Sequence, residues 1–373
     1  MTRKPVTLIA PVAPFRGGIA RHSDAVAQAL AQDPPVDLAV ESFARLYPGW
    51  LYPGESDRDP ARRDVVPGAA KVHRRLDTLN PLTWRRLAER VSARGGLAII
   101  PAWTFFVAPA LGTVARHLRA RGLRVVTMVH NAADHDGGRW KAGVSHWQLA
   151  ASDGFVVHSQ HVADQLRTAG HRQPVLCLPH PAYDDYPAPT GALPREHALE
   201  LLCFGLVRCY KGVDLALRAL VRAEVRDVRL TIAGEIWEDG EAIRSLAGTM
   251  REGVRVELID RYVSDQEAAE LFARCDAVLA PYRAATGSGV AALARHYRRS
   301  LVASAVDGLS ECVKEGEDGW LFPAGDEAAL AALLSGPVHR EAAQAMHAHM
   351  HAPNPGEGWK DFTAQIVVFA ERL

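Results

Sequence analysis

A twice-repeated alternation runs through the chain: short apolar runs of strand length, each followed by a longer stretch with helical periodicity. The first series has runs at 6–12, 97–103, 125–130, 154–159 and 175–178, with amphipathic stretches at 18–32, 109–121 and 160–169. Residues 180–189, rich in Pro, Asp and Tyr, break the pattern and read as a linker. The series then restarts, with runs at 201–207, 229–233, 255–259, 277–280 and 301–305. Strands this continuously apolar belong in parallel sheets covered on both faces, so the pattern predicts an α/β chain with two doubly wound domains. Their expected limits are 1–185 and 186–354. The remaining 355–373 reads as one helix, with Phe362, Ile366, Val367, Phe369 and Ala370 at packing positions, returning toward the first domain. The length of 373 residues agrees, since about 150 residues per domain gives roughly two to two and a half domains.

Composition removes several functional classes. Hydrophobic residues at 48% and charged residues at 23% are those of a soluble globular protein, which excludes a disordered or fibrous chain. Lys plus Arg and Asp plus Glu are 43 each, so no net charge draws the chain to nucleic acid. The five cysteines, 177, 203, 209, 275 and 312, contain no C-x-x-C pair and suggest neither a disulfide framework nor a thiolate zinc site. No leader pattern opens the chain, because Pro11 and Pro14 interrupt its first apolar run, and the uncharged stretch 96–115 contains Pro101, Pro109 and Gly112. The expectation is a cytoplasmic protein without a membrane span.

In open α/β sheets ligands sit beyond the carboxyl ends of the strands, so chemistry is sought in the loops that follow them. After the first strand, Gly17 and Gly18 open a helix whose backbone N–H groups could meet an anion; the alternative is a plain turn. The G-x-G-x-x-G dinucleotide spacing is absent. After the strand at 125–129 come His130, Asn131, Asp134, His135 and Asp136, where a strand-end histidine touching substrate is preferred to a metal site. His347, His349 and His351 read as a solvated surface. Arg208 and Lys211, three residues apart at a strand end, suit a pyrophosphate; otherwise they are two solvated cations. Gly287, Ser288, Gly289 and Val290 open a later helix and form a second anion candidate. From 58 to 94 there are ten Lys or Arg against four acids, interleaved with Leu76, Leu79, Leu82, Trp84 and Leu87. Three readings stay open for this basic stretch: an anionic membrane surface carrying a lipid-linked acceptor, an anionic acceptor, or a solvated arginine-rich face.

Together these residues resemble glycosyltransferase family 4, the retaining GT-B enzymes. The likeness runs through 17–21, 129–131, 158–159, 179–181, 204–205 with 210–212, 233–234, 263–265, and 307–311 with 315–319. It implies the GT-B architecture, two Rossmann-like doubly wound domains facing across a cleft, with the acceptor on the N-terminal side and the nucleotide-sugar donor on the C-terminal side. It also implies sugar transfer from a nucleotide-diphosphate sugar to a hydroxyl acceptor (glycan, lipid-linked or small molecule), with retention, no metal and no other cofactor. Carried over by position, Gly17 and Gly18 would touch the donor phosphate and His130 would sit near the transferred sugar. Arg208 and Lys211 would neutralise the leaving pyrophosphate. Arg261, Tyr262 and Val263 would border the base through the main chain, and Ser288, Gly289 and Val290 would cap the phosphates. Glu311 would contact the donor, with Gly234, Glu235, Thr286 and Gly287 completing its surroundings.

The chain departs from the family pattern at four positions. Thr286 and Ala294 stand where two glutamates eight apart are common, Leu206 replaces an arginine, and Cys209 replaces a proline. Altered donor handling is the expected result. The alternatives are a sugar-nucleotide epimerase of the same fold, drawing on His130 and Glu311, a non-catalytic nucleotide-sugar-binding module, and a structural partner protein.

Overall fold

The structure, a computed structural model, describes residues 3–52, 54, 56–59, 61–62, 71–131, 138–183, 185–350 and 356–373. The chain divides into two compact units, Met1–Pro181 with Gly356–Leu373, and Ala182–Pro355.

Unit 1 is built on a seven-stranded parallel sheet of β1 (Lys4–Ile9), β2 (Val36–Arg45), β3 (Lys71–Asp77), β4 (Leu97–Ala102), β5 (Arg124–Val129), β6 (Gly154–Val157) and β7 (Val175–Cys177). Their spatial order is β3-β2-β1-β4-β5-β6-β7. The crossovers are α1 (Gly18–Gln32), α2 (Pro81–Arg94), α3 (Ala108–Arg119), α4 (Arg139–Leu149) and α5 (Gln160–Thr168). Every residue of β4 is buried, as a central parallel strand requires.

Unit 2 has a six-stranded parallel sheet of β8 (Leu199–Phe204), β9 (Val228–Ala233), β10 (Val254–Ile259), β11 (Ala277–Ala280), β12 (Ser300–Ser304) and β13 (Gly319–Phe322), in the order β10-β9-β8-β11-β12-β13. Its helices are α6 (Val213–Arg222), α7 (Gly240–Ala247), α8 (Asp265–Arg274), α9 (Gly289–His296), α10 (Glu327–Ser335) and α11 (Arg340–His349). Leu215, Leu217 and Leu220 of α6 and Leu330 of α10 cover one face, while Leu271 and Phe272 of α8 and Leu293 of α9 cover the other. The last helix, α12 (Glu357–Glu371), belongs to unit 1 and packs on α1, where Trp359 and Phe362 set ring edges against His22 at 5.1 and 5.7 Å. Among the described residues no helix is long and apolar enough to cross a membrane.

Two elements of unit 1 differ from the sequence expectation. The basic stretch 58–94 is no appended face: it supplies the edge strand β3 and the helix α2, whose Leu87, Ala88 and Val91 are buried. An edge strand tolerates the charged sequence KVHRRLD, and such charge protects it from pairing with another sheet. Part of its excess of positive charge is also met by acids elsewhere in the unit. Arg62 makes a buried pair with Asp24 at 2.5 Å, Arg90 grips both oxygens of Glu41, Arg94 pairs with Asp37 and Arg85 with Glu89. Arg63 lies outside the described residues.

His347 is likewise not a solvated side chain. Its ring accepts the Ser300 N–H at 3.2 Å and stands 3.2 Å from Arg299, and burial holds its pKa at about 4. His349 is exposed, and His351 lies outside the described residues.

Candidate functional site

The strand order of each sheet has one point from which the crossovers leave in opposite directions, and there the strand ends diverge to leave a crevice. In unit 2 that point lies between β8 and β11. Beyond β8 the chain runs through Gly205 and Arg208 into a tight 3-10 turn, Cys209–Lys211, and then α6. Beyond β11 it runs through Tyr282 and Thr286 to Ser288 and α9. The two loops meet over Gly205, where an added methyl would lie 3.1 Å from Lys211 Nζ and 3.8 Å from Val290. Beyond β9, Gly234 has φ +143°, and a β-carbon there would stand 2.4 Å from the Gly205 carbonyl oxygen. Only glycine allows these two backbones to pack so closely.

The two cations at this strand end differ in what surrounds them. Lys211 Nζ donates to the Phe204 carbonyl at 3.3 Å and lies 5.7 Å from the Tyr282 ring centre. Among the described residues no carboxylate pairs with it. Desolvation therefore lowers its pKa to about 8, and a bound anion would offset that cost. Arg208 is already engaged, since its Nε and Nη2 each reach Glu238 at 3.1 Å.

Glu238 also accepts the Cys209 N–H at 2.8 Å, a bond that the proline common at this position in the resembled family could not make. Hydrogen bonds to Asp239 and Glu238 push the Cys209 thiol up to about 12, which removes it as a nucleophile. Arg283, overlooked in the sequence, braces the same turn. Its Nη1 donates to the Cys209 carbonyl at 2.6 Å, its backbone N–H to the Tyr210 carbonyl at 2.6 Å, and its guanidinium grips both oxygens of Asp214. Spacing alone carries no signal for such a brace, because its partners are some 70 residues away in the chain.

At the start of α9, Ser288 Oγ accepts the Ala291 N–H at 3.2 Å. Gly289 and Val290 stand before it in the first turn, where N–H groups have no partner within the helix and the dipole favours an anion. Thr286 is buried beneath the next loop: a methyl on Gly308 would meet its carbonyl carbon at 2.8 Å. The loop that carries exposed Glu311 thus abuts the one that carries exposed Gly287. Ala294, the second departure from the paired glutamates, is fully buried among core residues of α9.

Lys211, Gly205, Gly234, Val290 and the start of α9 are therefore brought together. The exposed Arg261 guanidinium is held by both oxygens of Glu267 at 2.6 and 2.7 Å and its Nη1 also donates to the Tyr262 carbonyl, so the side chain plays no part in the main-chain contact expected of 261–263. Val263 is buried in the core, and half-buried Glu235 turns its carbonyl to the Val207 N–H.

In unit 1 the corresponding point lies between β1 and β4. Gly17, at φ +94°, precedes the first turn of α1, and no atom lies within 4 Å of a β-carbon added to Gly17 or Gly18. His130 is the first residue beyond β5; its N–H donates to the Ala102 carbonyl at 2.9 Å, while its buried Nε2 has no partner among the described residues. Residues 132–136 of that motif lie outside the described residues.

Around His130 stand two imidazoles that the sequence reading did not connect to it. His22 of α1 and His158 beyond β6 have ring centres 4.7 and 5.5 Å away, and His180 lies 5.2 Å from His22. Burial first, and the neighbouring rings second, hold all three below the ordinary histidine range, His130 at about 3. At neutral pH His130 is uncharged, able to give or take a hydrogen bond but not to carry a positive charge to a leaving group.

Comparison with known proteins fits this geometry. Residues 198–336 match the family described as Glycosyl transferases group 1. The D-inositol 3-phosphate glycosyltransferase 1 of Catenulispora acidiphila is 29% identical over 243 residues, which are 59% of this chain and 57% of that protein. A GDP-mannose:glycolipid 4-beta-D-mannosyltransferase of Xanthomonas campestris pv. campestris is 32% identical over 137 residues, 36% of this chain and 38% of that protein. The chain thus spans little more than half the length of one of these curated relatives and under half of the other.

Among solved structures, the sucrose-phosphate synthase of Thermosynechococcus elongatus superposes over 99% of both chains with a TM-score of 0.70 at 18% identity. Anabaena HepE, solved with UDP and glucose, covers 99% of this chain and 98% of its own at a TM-score of 0.66 and 14% identity. The chain has the GT-B fold, and residues 198–336 of its second unit are similar to the family described as Glycosyl transferases group 1.

Proposed function

We propose that the protein is a retaining glycosyltransferase that moves a sugar from a nucleotide-diphosphate sugar to a hydroxyl acceptor. The observation that carries this reading is Lys211, a half-buried cation with no carboxylate partner among the described residues, set beside the exposed Gly289 that starts α9 at the switch point of unit 2. Breaking the bond between the anomeric carbon and the diphosphate leaves negative charge on the departing oxygen. Fixed donors directed at that charge accelerate the step, because they interact more strongly with the transition state than with the intact donor. Lys211, Gly289 and Val290 are assigned that role. Arg208 is assigned a smaller one, since part of its charge is spent on Glu238.

The acceptor is assigned to unit 1, with neutral His130 as a hydrogen-bonding contact to substrate. At the start of α2, Leu79 and Leu82 are exposed, as are Arg75 and Arg86, which supports contact with an anionic lipid surface carrying the acceptor. A named relative takes GDP-mannose and a solved neighbour holds UDP, so both bases belong in the first test.

That test is calorimetric titration of the protein with UDP, GDP, dTDP and ADP and with their sugars. A hit that stabilises the fold and is lost in Lys211→Ala supports the reading; no binding to any of them overturns it. The pH dependence is a second check. Lys211 is cationic below about 8 and neutral above it, so affinity for the diphosphate should fall as pH rises through that value, by at most roughly tenfold per unit. Lys211→Arg should flatten the profile, because guanidinium stays charged throughout. A wild-type profile that is flat across this range would remove Lys211 from the diphosphate site.

A further inference from the structure

The geometry points to a binding site in unit 1 for one transition-metal ion of the zinc class, formed by His22, His130 and His158. The three come from α1, from the end of β5 and from the end of β6, yet one nitrogen of each lies within 4.8 Å of the others. Around one tetrahedral zinc, with Zn–N of about 2.0–2.1 Å, the donor atoms stand about 3.4 Å apart. The rings therefore need to close by little more than about 1 Å, within reach of side-chain rotation.

The hydrogen bonding of the trio is unusual for a buried cluster. His22 is 1% exposed, and neither of its ring nitrogens has a hydrogen-bond partner among the described residues; His130 Nε2 has none either. Buried polar atoms in folded proteins are nearly always satisfied, and an orphaned imidazole calls for an ion or water in its place. His158 is arranged as metal-bound histidines usually are, with Nδ1 facing the Leu178 carbonyl at 3.2 Å. That contact favours the tautomer that keeps a lone pair on Nε2.

An all-imidazole donor set selects zinc, cobalt, nickel or copper over magnesium or calcium, which require oxygen ligands. Trp359 and Phe362 form an apolar wall on His22. His180, half-buried at 5.2 Å from His22, stands at the rim, where a fourth ligand or a water would complete the shell.

The test uses the untagged full chain, stripped with a chelator and titrated with Zn2+ alone and, separately, Co2+ alone. The expected result is one tightly held ion per chain, a higher thermal midpoint, and the visible absorption of tetrahedral cobalt. His22→Ala and His158→Ala should each weaken binding at least tenfold and abolish the absorption. His171→Ala, which breaks the other close imidazole pair of the unit with His146, should change neither. If His22→Ala does not fold, the half-buried His158→Ala carries the test.

Wild type that takes up no ion, or variants that bind as wild type does, would overturn the site. Zinc should also inhibit sugar transfer by occupying His130; this consequence alone rests on the transferase reading. Nucleotide binding at unit 2, measured in the same samples, separates failure of one proposal from failure of the other.

Discussion

Lys211→Ala is expected to lower donor-dependent turnover by about two to three orders of magnitude, the usual effect of removing one fixed donor from a developing anion. The thermal midpoint should move little. The ammonium makes a single bond to the Phe204 carbonyl, and burial already disfavours its charge, so the variant loses no ion pair and no core packing. Initial rates and thermal unfolding on the same preparation decide the matter, with Arg208→Ala as the comparison. That variant should cost less than tenfold, because its guanidinium is shared with Glu238. Equal losses for the two would show that the diphosphate is held by Arg208 as much as by Lys211. Unchanged turnover in Lys211→Ala would remove the assignment altogether.

Glu200→Ala should be the most destabilising single change in unit 2, by about 3–5 kcal/mol, the usual cost of leaving a buried charge without its partner. Glu200, on β8 and 1% exposed, takes the Arg229 guanidinium of β9 in two bonds of 2.8 and 2.9 Å; Arg229 is 5% exposed. The carboxylate also accepts the backbone N–H groups of Glu196 and His197, which hold the entry to the strand. Deleting it leaves the buried guanidinium with only the exposed Glu196 carboxylate and the Pro194 carbonyl as acceptors. The measurement is hydrogen exchange along β8 and β9 together with thermal unfolding of the full chain, because the two units need not unfold as one. The double change Glu200→Leu with Arg229→Met should recover much of the loss, since it leaves nothing charged behind. If Glu200→Ala keeps wild-type protection in β8, the pair contributes nothing to the fold.

The central strands were legible because burial on both faces writes them as apolar runs: β11 was read at 277–280, where it lies, β9 and β12 within one residue of each end, and β8 within three. The edge strand β3 carries the opposite signature. It has one neighbour and a charged sequence, and periodicity cannot separate such a strand from a loop.

The positive balance of 58–94 was only partly legible, for a related reason. Asp24, Asp37 and Glu41 lie outside that window and are set against it by the sheet, so local charge counts missed the neutralisation. At the candidate site, glycines and cations at strand ends could be picked out because the doubly wound topology says where to look. What they touch could not. Glu238 lies 30 residues from Arg208, and His22 lies more than a hundred residues from His130 and His158. Only the crossover connections bring such pairs together.

The return of α12 to unit 1 fixes an order of assembly. Unit 1 is interrupted by unit 2: its sheet is made before residue 182, but the helix that lays Trp359 and Phe362 on His22 follows the whole of unit 2. During synthesis, when domains fold as units from the N-terminal side, unit 2 has its complete sequence while one wall of the histidine cluster is still missing. A chain cut after residue 355 would therefore hold the whole of unit 2 but a unit 1 whose α1 lacks its cover, so the piece that closes one domain is supplied from beyond the other.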